Sequence, residues 1–403
     1  MNPSLEFTAE HLTTAAVIAD PYPVYSQLRP QSPFLYTELP AGIVPGLDGP
    51  LRGWVLMQHD HVYQALRDHE TFTSARNPMD GVIFPKLVLL TDDPPRHTRF
   101  RRLVNTAFTM QRIEALTPLM TTIANTLLDA MTGREVEVVQ SYSVPLPLRV
   151  IAHLLGLPRE DYATFKVWSE AALAMSTMTP ETRQQHIEDM VAYFGKLVVT
   201  RRTTLADDLI SAVVEAKVEG EALQDWEVLG FCLLLLIAGN ETTTNLIGNM
   251  LSLLADRPTL WQQLRKDRSL VEPVIEETLR YETPVQRLFR VTTREVELGG
   301  TTIPAGALVT IFFGAANRDP VAFSDPETFR IDRDLRPHVA FGAGIHYCLG
   351  APLTRAEARI TLNAFLDRFS TITRGTAAAA RQTASDITFG FQQLPLILHS
   401  EGD

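Results

Sequence analysis

Apolar positions along this chain recur mostly at the three-to-four-residue spacing of a helix face. Asp20–Arg29 reads as a helix with prolines near its start, and Asp161–Met175, Glu181–Arg202 and Trp261–Arg280 read as helices as well. Asp225–Asp256 can form one long helix, roughly 45 Å at about 1.5 Å per residue. Strand signals are shorter. Trp54–Gln58 alternates, Val296–Ile303 alternates around the Gly299-Gly300 turn, and Leu308–Phe313 is β-rich. Thr373–Ser385, rich in Ala, Thr and Arg, reads as a surface loop. Helix therefore dominates, with small sheets to one side, a mixture that does not by itself name a fold.

Composition narrows the class. A length of 403 residues would suggest two or three domains, yet no Gly/Ser- or Pro-rich linker and no repeat divides the chain, so residues 1–403 read as one domain. A 45% hydrophobic content fits a large globular core, and a net charge of −11 argues against nucleic acid as a partner. Two cysteines, Cys232 and Cys348, exclude a disulfide framework. Cys232 lies in an apolar helical run and reads as a small buried hydrophobe. Met1–Glu10 has neither a basic start nor an apolar core, the marks of a signal peptide or anchor. The uncharged run Val228–Asn240 is shorter than a bilayer span and meets Glu241, so it reads as a buried core helix. The expectation is a cytoplasmic, bacterial, monomeric protein with no membrane partner.

Chemistry concentrates around Cys348. It sits in a glycine-rich run, Phe341-Gly-Ala-Gly-Ile-His-Tyr-Cys348-Leu-Gly350, and the following Ala351–Ile360 reads as a helix. A thiolate at a helix N-terminus is stabilised by the dipole and the free N–H groups, and glycines let backbone fold around a sulfur. The run resembles the haem-ligand loop of the cytochrome P450 family, Phe-Gly-x-Gly-x-His-x-Cys-x-Gly, with every fixed position filled. The resemblance covers nearly the whole chain. It implies a mainly α fold with small β-sheets, and haem b (iron protoporphyrin IX) held between the long central helix and the cysteine loop. Cys348 would be the axial ligand of the iron.

The centre of the long helix is unusual for a buried one: Ala238-Gly-Asn-Glu-Thr-Thr-Thr244. Glycine there costs about 1 kcal/mol relative to Ala, and threonines can bond back to the preceding turn. That cost suggests a groove against a ligand, and an acid beside a hydroxyl can deliver protons to a buried site. The stretch resembles the family's oxygen-activation motif, Ala-Gly-x-Asp/Glu-Thr-Thr. By that resemblance Thr242 hydrogen-bonds the bound oxygen and Glu241 feeds protons from solvent.

A haem carries two propionates, which need partners when buried. The run Asp92-Asp-Pro-Pro-Arg-His97-Thr-Arg-Phe-Arg101-Arg102 places His97 and Arg101 on one helix face and resembles the family's His-x-x-x-Arg element. Arg290 and His346 match the remaining propionate partners. Glu277 and Arg280 match the Glu-x-x-Arg pair, whose implied role is structural. The residue before Phe329 is Thr328, where many members carry Arg, so Arg333, or less readily Arg330, fills that place.

No flavin segment, iron–sulfur cysteines or strand-borne GxGxxG is present, so electrons would come from an acidic ferredoxin-type donor with its NAD(P)H reductase. Arg96, Arg99, Arg101, Arg102, Arg112, Arg355 and Arg359 form a candidate basic docking patch. The expected substrate wall comprises Val82, Ile83, Phe84, Leu234, Ile237, Ala238, Val285, Leu288 and Ile387, with loop Asn77–Leu90 as cover and Ala171–Met178 in a lid. Such a wall suits a small apolar molecule. Arg287 is a candidate carboxylate anchor. The first reading is therefore a monooxygenase using dioxygen to hydroxylate or dealkylate such a substrate. The second is a non-catalytic haem-thiolate sensor or ligand-binding protein. A zinc site at His346 and Cys348 is a third, and lacks a second ligand pair.

Overall fold

The computed structural model describes residues 7–8, 10–39, 51–76, 87–105, 110–173, 178–218, 221–334 and 337–402. It is mainly helical, and its axis is the helix Asp225–Ala255. That helix starts where expected, because Gln224 and Glu227 form a reciprocal capping box and Asp225 and Glu227 put negative charge in its first turn. Its two apolar halves enter different cores. Val228–Ile237 pack with Phe100, Ile151, Phe165 and Phe194. Leu246–Ala255 pack with Met120, Tyr142, Trp261, Leu279 and Phe365. Helices Pro145–Leu154, Tyr162–Leu173, Pro180–Thr203, Val271–Tyr281 and Ala351–Arg368 surround it. Although long and apolar enough to cross a bilayer by composition, it is mostly covered by protein.

The larger sheet has six strands in the order Phe7–Thr8, Phe34–Leu39, Leu51–Leu56, Leu308–Phe312, Arg287–Thr292 and Phe72–Thr73. Leu308–Phe312 runs parallel to Leu51–Leu56 and antiparallel to Arg287–Thr292, with Val309 opposite Arg290. A three-stranded sheet joins Thr371–Arg374, Pro395–His399 and Glu135–Glu137. The hairpin Val296–Leu298 with Thr301–Ile303 turns at Gly299 and Gly300, both with positive φ, as a two-residue turn demands.

Two expectations change. Trp261–Arg280 is not one helix: it divides into Pro258–Lys266 and Val271–Tyr281 around the single turn Arg268–Leu270. Asp267 leaves helical geometry, and its carboxylate accepts from the Ser269 amide at 3.0 Å, restarting the chain in a new direction. Residues 373–385 are not simply a surface loop. Arg374 ends a strand, Ala380–Arg381 pairs with Phe391–Gln393, and Arg381 reaches inward to Asn249 at 2.7 Å.

Candidate functional site

Cys348 lies at the end of a closed loop. Its amide donates to the Phe341 carbonyl at 2.9 Å, and Gly342 and Gly344 take positive φ within the loop. Gly344 has a second constraint: an added Cβ would lie 2.6 Å from the Leu66 carbonyl oxygen. Helix Ala351–Arg368 follows directly. Burial pushes the Cys348 thiol up, while the Gly350 and Ala351 N–H groups and the charges of Arg101 and Arg355 pull it down. The other cysteine, Cys232, is fully buried in apolar surroundings, which raise its thiol far above the ordinary value.

His97, Arg101, Arg290 and His346 are brought together from a helix, a strand and the cysteine loop. The His97 and His346 rings stand 4.5 Å apart. Arg101 and Arg290 each carry a positive charge that acts on His346. His97 is 2% exposed, and among the described residues neither ring nitrogen has a hydrogen-bond partner. Burial, with the neighbouring His346 and Arg101, lowers its pKa to about 4. Arg290 is 4% exposed, donates to the Phe289 carbonyl at 2.7 Å, and is pulled down to about 10 by desolvation despite Asp93 nearby. Such under-partnered buried cations and imidazoles fit a group that brings carboxylates of its own.

Sequence reasoning missed how His346 is anchored. Its Nε2 lies 3.2 Å from Ser74 Oγ and 3.7 Å from an Asp93 oxygen. Burial would raise Asp93, but bonds from His346, Thr73 and the Ser74 amide hold it down at about 2. Burial lowers His346 more than Asp93 raises it, so the imidazole is neutral at pH 7 and the contact is not a full ion pair. Asp93 stands in the same Asp-Asp-Pro-Pro run that marked His97, and its proximity to a conspicuous His was the available signal.

On the central helix the stretch between the two apolar halves behaves differently from both. Ala238 is exposed and Gly239, Glu241 and Thr242 are half-buried, whereas Ile237 and Thr243 are buried. The Thr242 hydroxyl donates back to the Ala238 carbonyl at 2.7 Å. Glu241 is pushed up to about 7, chiefly by desolvation, then by the Glu170 carboxylate, with Lys166 opposing. Lys166 and Glu170 are themselves 3.4 Å apart on helix Tyr162–Leu173. Gly239 has a packing role on its Cβ side. An added Cβ there would lie 3.2 Å from Ile151 Cδ1, so the glycine permits close packing against helix Pro145–Leu154. Thr243 Oγ1 meets Thr354 Oγ1 at 3.2 Å, joining this helix to the one that follows Cys348.

The wall residues separate into groups. Val82, Ile83 and Phe84 lie outside the described residues. Ile237 and Leu234 pack into the apolar cluster with Phe100 and Phe231, against which Leu349 also rests, while Ala238 reaches open space. Val285 and Leu288 are half-buried beside the sheet core, and Ile387 is buried, its carbonyl accepting from the Gln286 amide at 2.7 Å. Arg287 is not a free anchor: it is buried, ion-paired to Asp386 and stacked 5.1 Å from the Phe289 ring centroid. The structural pair is complete. Arg280 grips Glu277 through two bonds of 2.8 Å, both side chains fully buried. Arg333 supplies the third partner at 3.2 Å, and the Arg330 amide adds a bond of 2.7 Å.

The basic patch is largely neutralised. Arg96 lies 3.4 Å from Asp92 and 3.7 Å from Glu227, and Arg99 lies 3.6 Å from Glu221. Arg355 makes bonds of 2.6 and 2.8 Å to Glu276, and Arg359 one of 2.9 Å to Glu272. Arg102 and Arg112 are exposed. Among the described residues no group of three His, Cys, Asp or Glu could hold a bare metal ion, so the zinc reading has no ligand set there.

A family model for cytochrome P450 matches residues 128–398. Cytochrome P450 109 of Bacillus spizizenii is 36% identical over 390 residues, covering 93% of this chain and 91% of its own length. The cytochrome P450 monooxygenase PikC of Streptomyces venezuelae is 39% identical over 359 residues, covering 87% of this chain and 84% of its own. The crystal structure of CYP109E1 from Bacillus megaterium in complex with testosterone matches with a TM-score of 0.84 at 35% identity, covering 96% of this chain and 99% of that one.

Proposed function

The chain belongs to the cytochrome P450 family and is an oxygen-incorporating oxidoreductase; on that premise we propose that it hydroxylates or oxidatively dealkylates a neutral, apolar organic molecule, using haem b and electrons from a separate ferredoxin and its NAD(P)H reductase. The observation that carries this reading is the Glu241–Thr242 pair, set where the central helix leaves its two apolar cores and Ala238 reaches open space. We take the protein to work as one domain and a single chain in the bacterial cytosol, in line with the bacterial sources of its relatives.

The residues present fit the cofactor. Cys348 would ligate the iron, Arg101 and Arg290 would pair the propionates with their charge, and the imidazoles of His97 and His346 would hydrogen-bond carboxylates that would otherwise be buried alone. Bound there, haem would supply dioxygen activation. The chain's own contributions are proton handling and positioning. Glu241, held near neutrality, can take up a proton on one side and release it on the other at physiological pH. Thr242 gives its hydroxyl hydrogen to Ala238, so as placed its oxygen accepts a hydrogen bond, and it donates only after rotating away.

A neutral substrate is in line with Arg287, whose engagement by Asp386 leaves it unavailable to a substrate carboxylate. A neutral apolar molecule of steroid size is compatible with the testosterone held by CYP109E1. A non-catalytic sensor would need no acid–hydroxyl pair, and the monooxygenase name of PikC goes against that reading. The deciding experiment is the ferrous–carbon monoxide spectrum. A strongly red-shifted Soret band that is lost in Cys348→Ser supports the reading, and a globin-like band or a colourless protein overturns it. With Arg102 exposed and the other arginines of the patch partly screened, reduction by an acidic ferredoxin should slow as ionic strength rises. A salt-insensitive rate removes the patch from the docking surface.

A further inference from the structure

A buried amide on the central helix has no role in oxygen handling, yet it is bonded to a wall of the substrate space. Asn249 is fully buried in the apolar half of the helix, among the buried residues Leu246, Met250 and Leu253. An amide in such surroundings is costly unless its groups are partnered. Its Nδ2 donates to the Phe389 carbonyl at 3.0 Å and to the Glu282 carbonyl at 3.2 Å. Its Oδ1 accepts from Arg381 at 2.7 Å. Arg381 in turn donates to Glu282 Oε1 at 2.8 Å and lies over the Phe389 and Phe391 rings, 4.2 and 3.7 Å from their centroids.

The turn held by this cluster is Ile387–Phe389. Its opposite edge is sewn to the segment leading into Arg290. The Phe389 amide donates to the Pro284 carbonyl at 2.9 Å, Gln286 donates to Ile387, and Val285 bridges Thr388. Asn245, one helical turn before Asn249, touches the same loop: a Cβ added to Gly390 would lie 1.9 Å from its Oδ1. Thr242, Asn245 and Asn249 are spaced by three and four residues, which puts them on one helix face. One rigid helix thus carries the oxygen-handling threonine and, about 10 Å along its axis, the clamp on the turn.

We propose that Asn249, with Arg381 as its partner, is a positioning residue that fixes the Ile387–Phe389 turn relative to Thr242 and so determines which substrate shapes the enzyme accepts. The inference rests on the reading of Ile387 as pocket wall. It assigns selectivity to side chains that do not themselves line the pocket.

The test uses the haem-loaded protein, two azoles and hydrogen exchange. Imidazole reads access to the iron alone, whereas clotrimazole also fills the surrounding space, and both are titrated by the Soret shift. Asn249→Leu should bind imidazole as the parent does, bind clotrimazole roughly fivefold differently, and exchange the amides of residues 385–390 roughly tenfold faster. Asn249→Asp keeps the acceptor for Arg381 and loses both donors, so it should behave like Asn249→Leu; it also stands in if the leucine variant does not fold. Ile387→Ala is the control for the wall, and should change clotrimazole binding without loosening the neighbouring amides. Unchanged exchange and an unchanged clotrimazole-to-imidazole ratio in both Asn249 variants overturn the proposal. An Ile387→Ala variant with parental clotrimazole affinity overturns the selectivity role, even if the turn loosens. No azole shift in the parent protein would instead reject the haem reading, with the exchange result still deciding whether Asn249 holds the turn.

Discussion

If Glu241 passes protons, the efficiency of oxygen use should titrate with its carboxyl, and the surroundings state which way each neighbour moves it. Desolvation is the chief cause of its rise to about 7, Glu170 adds to the rise, and Lys166 opposes it. A group with that midpoint is roughly 90% protonated at pH 6 and about 10% protonated at pH 8, about a tenfold loss of donor. Product formed per NAD(P)H consumed should therefore fall through an inflection near neutrality as pH rises, with hydrogen peroxide accounting for the difference. Glu241→Gln should remove that inflection. Glu170→Gln should move it to lower pH for two reasons: a repelling carboxylate is gone, and Lys166, now 3.4 Å from its partner, is released to favour the charged form of Glu241. Lys166→Met should move it to higher pH. The assay is a pH series of product, NAD(P)H and peroxide measured together for the four proteins. An inflection that survives in Glu241→Gln, or one that moves upward in Glu170→Gln, refutes the reasoning, because neither is compatible with Glu241 as the titrating donor.

Other outcomes follow from single contacts. Thr242→Ala should retain the ferrous–carbon monoxide spectrum and substrate-induced spin shift while diverting reducing equivalents to peroxide, and Thr242→Ser should restore most of the coupling; unchanged coupling in the alanine variant refutes the role. Glu277→Gln leaves the buried charges of Arg280 and Arg333 without their carboxylate and should cost about 3–5 kcal/mol in denaturant unfolding, whereas Arg333→Ala should cost less, because Arg280 keeps its two bonds. Glu357 is pushed up to about 8 by burial, against a hydrogen bond from Thr243 that lowers it. The folded protein then holds a proton between pH 4.5 and about 8 that the unfolded chain releases, so stability declines as pH rises through that window. Relative to the parent, Glu357→Gln should gain melting temperature from pH 5 to pH 8, and a constant difference would show that Glu357 does not titrate there.

The legible parts of this protein are those whose chemistry is contiguous in the chain. The cysteine loop, the Ala238–Thr244 stretch and the His97–Arg101 helix each present their residue types at fixed local spacing, and the structure brings His97, Arg101, Arg290 and His346 into mutual reach. The long helix was legible for the same reason, since its cap and apolar run are local. What stayed hidden is set by partners remote in sequence. Asp386 takes Arg287 from 99 positions away, which turns a candidate anchor into a buried pair. Glu272 and Glu276 take Arg359 and Arg355 from 87 and 79 positions away, which removes much of a positive patch that looked free in one dimension. The packing need for Gly239 was equally hidden, because Ile151, which its missing Cβ lets approach, lies 88 positions away on another helix. The break at Asp267 escaped notice because apolar periodicity continues across it and only the local cap redirects the chain. A sequence motif thus states which groups are available, and long-range pairing decides which remain uncommitted. In this protein that second step removes Arg287 as a free carboxylate anchor, and it leaves Glu241, desolvated and facing another carboxylate as well as a lysine, near the pH at which it can both hold and release a proton.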